Sequence, residues 1–295
     1  MPFYSIASLT VEADALPNSY QPFLLGEKSP GKPDLSFVEV DKPHSVDHLT
    51  KMAELPAMTI WKEGGSGETV RWVYESRQGI GTFSVNADYS VAEYYYLDFF
   101  KRFSSVDISA ILQPFLQLII QCKLVCSGIT VLHAACVEKD GMAYAFCGPS
   151  GVGKSSRAQK WCECLSAEWI SGDRPAVDSN QAVVYGVPWD GKEKIHRNVC
   201  FLLAALLKVR RSETVSLNEM TESEKLQFLS EQTFFPLWDS ALAASAMHSL
   251  RVLKKNIPVL ELGCSLTDES TRRAHGIIAR TLNFMKGNGS NEACT

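Results

Sequence analysis

The segment Gly148-Pro149-Ser150-Gly151-Val152-Gly153-Lys154-Ser155 carries glycine, lysine and hydroxyl side chains at a spacing suited to one task. It fits G-x4-G-K-[ST], the loop pattern that holds phosphate groups. Its glycines let the backbone wrap with N–H groups turned inward onto phosphate oxygens. A helix opening at Lys154 adds the partial positive charge of its N-terminal end at the same point. Lys154 is expected to reach the β- and γ-phosphates and the Ser155 hydroxyl to ligate Mg2+, with Ser156 among the nucleotide-contacting residues. ATP and Mg2+ are the expected ligands.

Phosphoryl transfer also needs a carboxylate for the cation and, with a hydroxyl acceptor, a group to take its proton. Asp173 stands at the end of the next strand-like run, in Trp169-Ile170-Ser171-Gly172-Asp173-Arg174. A plain turn-capping Asp before Pro175 is the competing reading. His133 sits on an apolar strand, either as a satisfied core residue or as a hydrogen-bond donor or proton acceptor near a triphosphate. In Gly186-Val187-Pro188-Trp189-Asp190-Gly191-Lys192-Glu193, a ring, two acids and a base crowd one turn. That turn is either an ordinary surface loop or one that positions an acceptor. In the second case Asp190 or Glu193 supplies a base, and Lys192, with Arg197 as a second candidate, stabilises charge on the transferred group. Arg210-Arg211 and Lys254-Lys255 read as solvated surface charge.

The elements that must position these residues are readable from about residue 107 onward. Ile108 to Val125 has helical spacing, Thr130 to Val137 is strand-like, and Asp140-Gly141 signals a hairpin into a strand from Met142 to Cys147. A helix from Lys154 to Cys164 follows, then strands at Glu168 to Ser171, Ala182 to Tyr185 and Phe201 to Val209. Thr221 with Glu224 forms a capping box. Helices at Ala241 to Leu253 and Asp268 to Met285 flank a strand at Val259 to Leu262, and residues 288–295 form a frayed tail. Before residue 105 the chain is rich in Pro and Gly, with β-type runs at Met58 to Trp61, Thr69 to Tyr74 and Gly81 to Val85. The expected organisation is a β-rich module over 1–105 and a phosphate-loop domain over 106–287. The run Tyr94-Tyr95-Tyr96 is expected to pack between them.

The strand, phosphate loop, "ISGD" strand end and "GVPWDGKE" loop, with Leu132-His133-Ala134-Ala135 before them, resemble the HPr kinase/phosphorylase-like family. That family shares its nucleotide site with the ATP-dependent phosphoenolpyruvate carboxykinases. The resemblance is specific over residues 128–200, weaker to about 280, and does not cover the first 105. It implies an α/β fold with a mixed-sheet P-loop kinase domain of the HPr kinase C-terminal type. It also implies an ATP-dependent kinase acting on a hydroxyl of a protein, peptide or small alcohol, with a homo-oligomer by analogy. His133 matches the histidine near the phosphates and Asp173 the second of two adjacent acids. Gly172 stands where the first acid, generally the proton acceptor, is expected. Three alternatives stay open: Asp173 serves both roles, another group supplies the base, or the chain is a nucleotide-binding sensor that phosphorylates nothing.

Composition narrows the rest. With 45% apolar and 21% charged residues in 295, the chain is ordinary globular material rather than disordered or fibrous. A net charge of −4 gives no footing for nucleic acid as a standing partner. The longest apolar stretch, Phe115 to Val125, is broken by Gln117, Gln121 and Lys123, so no membrane span is expected. Nine cysteines without an export signal point to reduced thiols and a cytoplasmic location, and their spacing makes no zinc site. There is no Asn-Lys-x-Asp guanine-reading motif and no Leu-Ser-Gly-Gly-Gln-like signature, which speaks against a GTPase switch and an ABC-type ATPase.

Overall fold

An apolar run bounded by a two-residue turn and a glycine-rich loop should form a buried strand ahead of a helix. In the computed structural model, Met142–Cys147 is a strand whose last five residues are buried, and the helix Lys154–Leu165 follows the loop. The structure describes residues 1–14, 16–28, 31–64, 70–97, 108–189 and 191–289. The chain divides into two compact units, Met1–Ser127 with Phe235–Ser245, and Gly128–Phe234 with Ala246–Thr295. The first boundary therefore falls at 127/128 rather than near 105. The composition shift at residue 107 marks the change from strands to a helix, Ile108–Cys126, that belongs to the first unit. Its Phe115 ring stacks on Phe83 with centroids 4.9 Å apart, and Lys123 donates to the Asp88 carbonyl at 3.1 Å.

Within the first unit, nine strands are present among the described residues. They are β1 (Phe3–Ile6), β2 (Leu9–Glu12), β3 (Leu24–Gly26), β4 (Leu35–Glu39) and β5 (Thr50–Glu54), then β6 (Met58–Glu63), β7 (Arg71–Ser76), β8 (Gly81–Asn86) and β9 (Val91–Tyr96). They form one sheet in the order β3-β1-β2-β4-β9-β8-β7-β6-β5. Period-two burial is plain in β4, where Leu35 and Phe37 point inward, and in β6, where Met58 and Ile60 do. Tyr94 lies on β9 inside this sheet and stacks on Phe83, so the tyrosine run is part of a strand. β6 and β7 pair antiparallel, and the residues joining them lie mostly outside the described ones.

The second unit is a mixed sheet with helices, the α/β architecture expected from the sequence. Its strands are β10 (Ile129–Val131), β11 (Ala134–Lys139), β12 (Met142–Cys147), β13 (Glu168–Ser171) and β14 (Ala176–Asp178), then β15 (Val183–Tyr185), β16 (Cys200–Arg211), β17 (Ser216–Glu219) and β18 (Val259–Cys264). The order is β10-β14-β15-β16-β12-β11-β13, with β18 also paired to β16 and β17 to β18. β12 is parallel to β16 and β16 to β18, while β11 is antiparallel to both β12 and β13. Two reversals make β13 run with β12. The ends of β12, β13, β16 and β18 and the start of β11 consequently emerge on one edge of the sheet.

Trp161, fully buried on the phosphate-loop helix, packs against Tyr144 and Phe146 of β12 with ring centroids 5.0 and 5.2 Å away. Ala274, Ile278 and Leu282 of the helix Asp268–Gly289 close the same core. This packing clamps the loop between a fixed strand and a fixed helix. The capping box at Thr221 is present: its hydroxyl accepts from the Glu224 N–H while the Glu224 carboxylate accepts from the Thr221 N–H at 2.8 Å. Among the described residues no helix is long and apolar enough to cross a membrane.

Candidate functional site

In open α/β sheets, ligands bind beyond the carboxyl ends of parallel strands, and the chemistry-bearing residues of the second unit collect there. The phosphate loop leaves β12, Gly172 and Asp173 follow β13, His133 precedes β11, and Arg211 ends β16. A cavity of about 390 Å3 is lined by His133, Ser150, Gly151, Gly153, Lys154, Ser155, Ser156, Gly172, Asp173, Gly191, Lys192, Glu193 and Arg211. Of the residues expected from sequence, these include His133, Lys154, Ser155, Asp173, Lys192 and Glu193. Asp190 lies outside the described residues. Arg197 is elsewhere, its guanidinium on Glu168 Oε2 at 2.8 Å and on the Trp169 carbonyl.

The loop is shaped by residues that L side chains do not suit. Gly148 and Gly153 have φ of 148° and 105°, and Gly153 is the left-handed residue that opens the helix at Lys154. The Lys154 ammonium donates to the Gly148 and Pro149 carbonyls at 2.8 and 3.3 Å, folded back across its own loop. Burial holds this ammonium below its usual range, while the Asp173 carboxylate, the Cys147 thiol and the Glu193 carboxylate pull it upward. His133 Nε2 stands 3.7 Å from Asp173 Oδ1. Burial and the Lys154 charge push His133 down, against the attraction of Asp173.

Asp173 is set by its turn. Ser171 Oγ donates to the Asp173 carbonyl at 2.9 Å, and Trp189 Nε1 donates to the Arg174 carbonyl at 3.0 Å. Trp189 is buried, so this ring anchors the 186–193 loop to the Asp173 turn rather than facing an acceptor. Three cationic side chains, Lys154, Lys192 and Arg211, share the cavity with two carboxylates, Asp173 and Glu193. That surplus suits a polyanion that brings a cation with it.

Sequence reasoning missed two residues. Arg211, read as solvated charge, donates to the Gly151 carbonyl at 2.7 Å and sits between the phosphate cavity and a neighbouring one. The signal was available, because β16 is a long apolar strand and its end must reach the ligand edge of the sheet. Gln232, the last residue of the helix Glu222–Gln232, accepts from the Gly148 N–H through Oε1 at 3.2 Å and from the His133 N–H through its carbonyl at 2.7 Å. No sequence pattern announces it.

The neighbouring cavity, about 460 Å3, lies between the ends of β16 and β18 and the start of the loop helix. Val152, Cys264 and Leu266 give it an apolar wall. Arg157, almost fully buried, closes it by donating to the Cys264 thiol, to the Cys264 carbonyl at 2.9 Å and to the Ser265 carbonyl at 3.3 Å. The two cavities share Gly153, Ser156 and Arg211, which leaves room for a flat apolar group beside a polyanion.

The donor set fits Mg2+ shared with a phosphate. Ser155 and Asp173 offer hard oxygen ligands in one cavity, and Mg2+ is commonly held by one or two protein oxygens plus phosphate oxygens. Among the described residues no cluster of three or more His, Cys, Asp and Glu side chains forms a complete cage, and a shared cation needs none. No family model matches the chain, and no curated protein matches it.

Proposed function

We propose that the chain is a Mg2+-dependent phosphotransferase of the HPr kinase-like P-loop class, moving the γ-phosphoryl group of ATP to a hydroxyl acceptor. The acceptor is a protein, a peptide or a small alcohol. The observation that carries this reading is a single cavity that joins the phosphate loop and Lys154 to two carboxylates. A plain nucleotide-holding site needs the first two; transfer to a hydroxyl also needs the others.

The loop N–H groups and the helix N-terminus bind the phosphates, and Lys154 turns from its own carbonyls to the β- and γ-oxygens. Ser155 and Asp173 would hold the Mg2+, which neutralises charge on the phosphates when bound. Lys192 and Arg211 add positive charge where the transferred group spreads its own over three oxygens. The apolar second cavity takes the nucleoside part. His133, beside Asp173, can donate to a γ-oxygen. Positioning and fixed charge supply nearly all of the acceleration in such chemistry.

Gly172 favours a second reading, a nucleotide sensor, because the expected first acid is missing from its strand end. Calorimetric titration with Mg-ADP, followed by ADP release in the presence of cell extract as acceptor source, separates the two. The kinase reading expects binding and acceptor-dependent ADP release that Asp173→Asn abolishes. Tight binding without turnover for any acceptor would leave the sensor.

A further inference from the structure

The side chain of Glu193 stands where residue 172 would carry its own. Gly172 has no left-handed φ, so its backbone accepts any residue. What the glycine provides is room. A β-carbon at 172 would lie 2.7 Å from Glu193 Oε2 and 3.1 Å from Glu193 Cβ. Gly191 does the same nearby: a β-carbon there would lie 3.1 Å from both Asp173 Cβ and Glu193 Oε2. Two positions without side chains thus frame a slot beside Asp173, and a carboxylate fills it. Trp189, three residues before Lys192 and hydrogen-bonded to the Arg174 carbonyl, holds the loop that carries Glu193 against the turn that carries Asp173. The slot opens into the cavity of the phosphate loop, and the Glu193 charge acts on Lys154 there.

We infer that Glu193 is the proton acceptor of the site, its carboxylate delivered to the end of β13 by the 186–193 loop and seated by Gly172 and Gly191, leaving Asp173 for the cation. The inference rests on the phosphotransfer reading and assigns the base within it. In the step, the acceptor O–H bond breaks and its proton passes to a Glu193 oxygen. The acceptor oxygen bonds to the γ-phosphorus of a nucleoside triphosphate. The bond from that phosphorus to the β,γ-bridging oxygen breaks, and its electron pair leaves on the nucleoside diphosphate. Glu193 then returns the proton to solvent.

The contact geometry supplies an unusual test, because the carboxylate can be moved back to the strand. The probe is γ-labelled Mg-ATP, with water and a degenerate serine-containing peptide library as acceptors, and Mg-ADP affinity and unfolding midpoint are measured alongside. Glu193→Gln and Glu193→Ala should each lower transfer by about a hundredfold or more, the range of general-base catalysis, with Mg-ADP affinity kept within threefold. Adding Gly172→Asp to Glu193→Ala should recover at least tenfold of the loss, whereas Gly172→Ala on its own should displace the Glu193 carboxylate and slow transfer. The near-isosteric Gln variant covers the case in which Ala disturbs the loop. Transfer by Glu193→Gln within a few-fold of wild type overturns the assignment, as does a folded, ADP-binding double variant with no recovery. Wild-type protein that transfers to neither acceptor defeats the phosphotransfer reading itself, and the assignment falls with it.

Discussion

Gln232→Leu tests how the phosphate loop is held in place. The side chain is 5% exposed, and its Oε1 accepts from the Gly148 N–H, a buried bond of 3.2 Å. Leucine keeps nearly the same volume, so no cavity forms and the change isolates the lost acceptor. Gly148 N–H is then buried without a partner, at a cost of about 1–3 kcal/mol. The second bond, from the His133 N–H to the Gln232 carbonyl at 2.7 Å, is backbone and survives. For a unit of this size the loss corresponds to a fall in unfolding midpoint of roughly 2–4 °C per kcal/mol. Urea denaturation of wild type and Gln232→Leu measures it. The expected result is a Leu variant at least 1 kcal/mol less stable than wild type. A Leu variant within 0.5 kcal/mol of wild type, read to the order of magnitude these effects allow, would refute the claim that Gln232 holds the loop.

Three further outcomes follow from the same contacts. Arg211→Ala removes one of three cations around the cavity and should weaken Mg-ADP binding by roughly 5- to 30-fold, about 1–2 kcal/mol, with little change in unfolding midpoint; calorimetry checks it. Trp161→Ala empties a fully buried site between β12 and its helix and should cost about 3–5 kcal/mol in denaturant unfolding. Among the thiols, burial pushes Cys147 up to about 12 and Cys126 up to about 11, so iodoacetamide at pH 8 followed by peptide mapping should find Cys147 unlabelled. The thiolate is the reactive, high-pH form, so labelling of exposed Cys126 should climb about tenfold per pH unit from 8 to 10.

The sheet around the loop was legible because its strands are apolar runs closed by turn residues. Met142–Cys147 and Glu168–Ser171 were readable end to end. β16 was read as Phe201 to Val209, and the missing last turn of chain is where Arg211 sits. Its charge looked like a solvated end because the strand was ended two residues early, at Val209, before Arg211 could be placed on it. Thr130 to Val137 looked like one strand, yet it breaks at Leu132 and His133, whose backbone groups turn to Pro175, Thr233 and Gln232. In the first unit, strands such as Thr50–Glu54 are short and mostly exposed, with no apolar alternation to mark them. The missing acid at Gly172 was visible at once. Choosing Glu193 to fill it required the distance across a loop twenty-one residues downstream, a tertiary fact with no local trace.

The central claim is that this cavity moves a phosphoryl group from a nucleotide. It is tested most directly by quantifying acid-stable labelled phosphate transferred from γ-labelled Mg-ATP by wild type and by Lys154→Ala at matched concentration. The account predicts time-dependent transfer by wild type and loss of at least two orders of magnitude in Lys154→Ala, which folds with an unfolding midpoint near that of wild type. Equal transfer by the two proteins, or none by a wild type that binds Mg-ADP tightly, would contradict it.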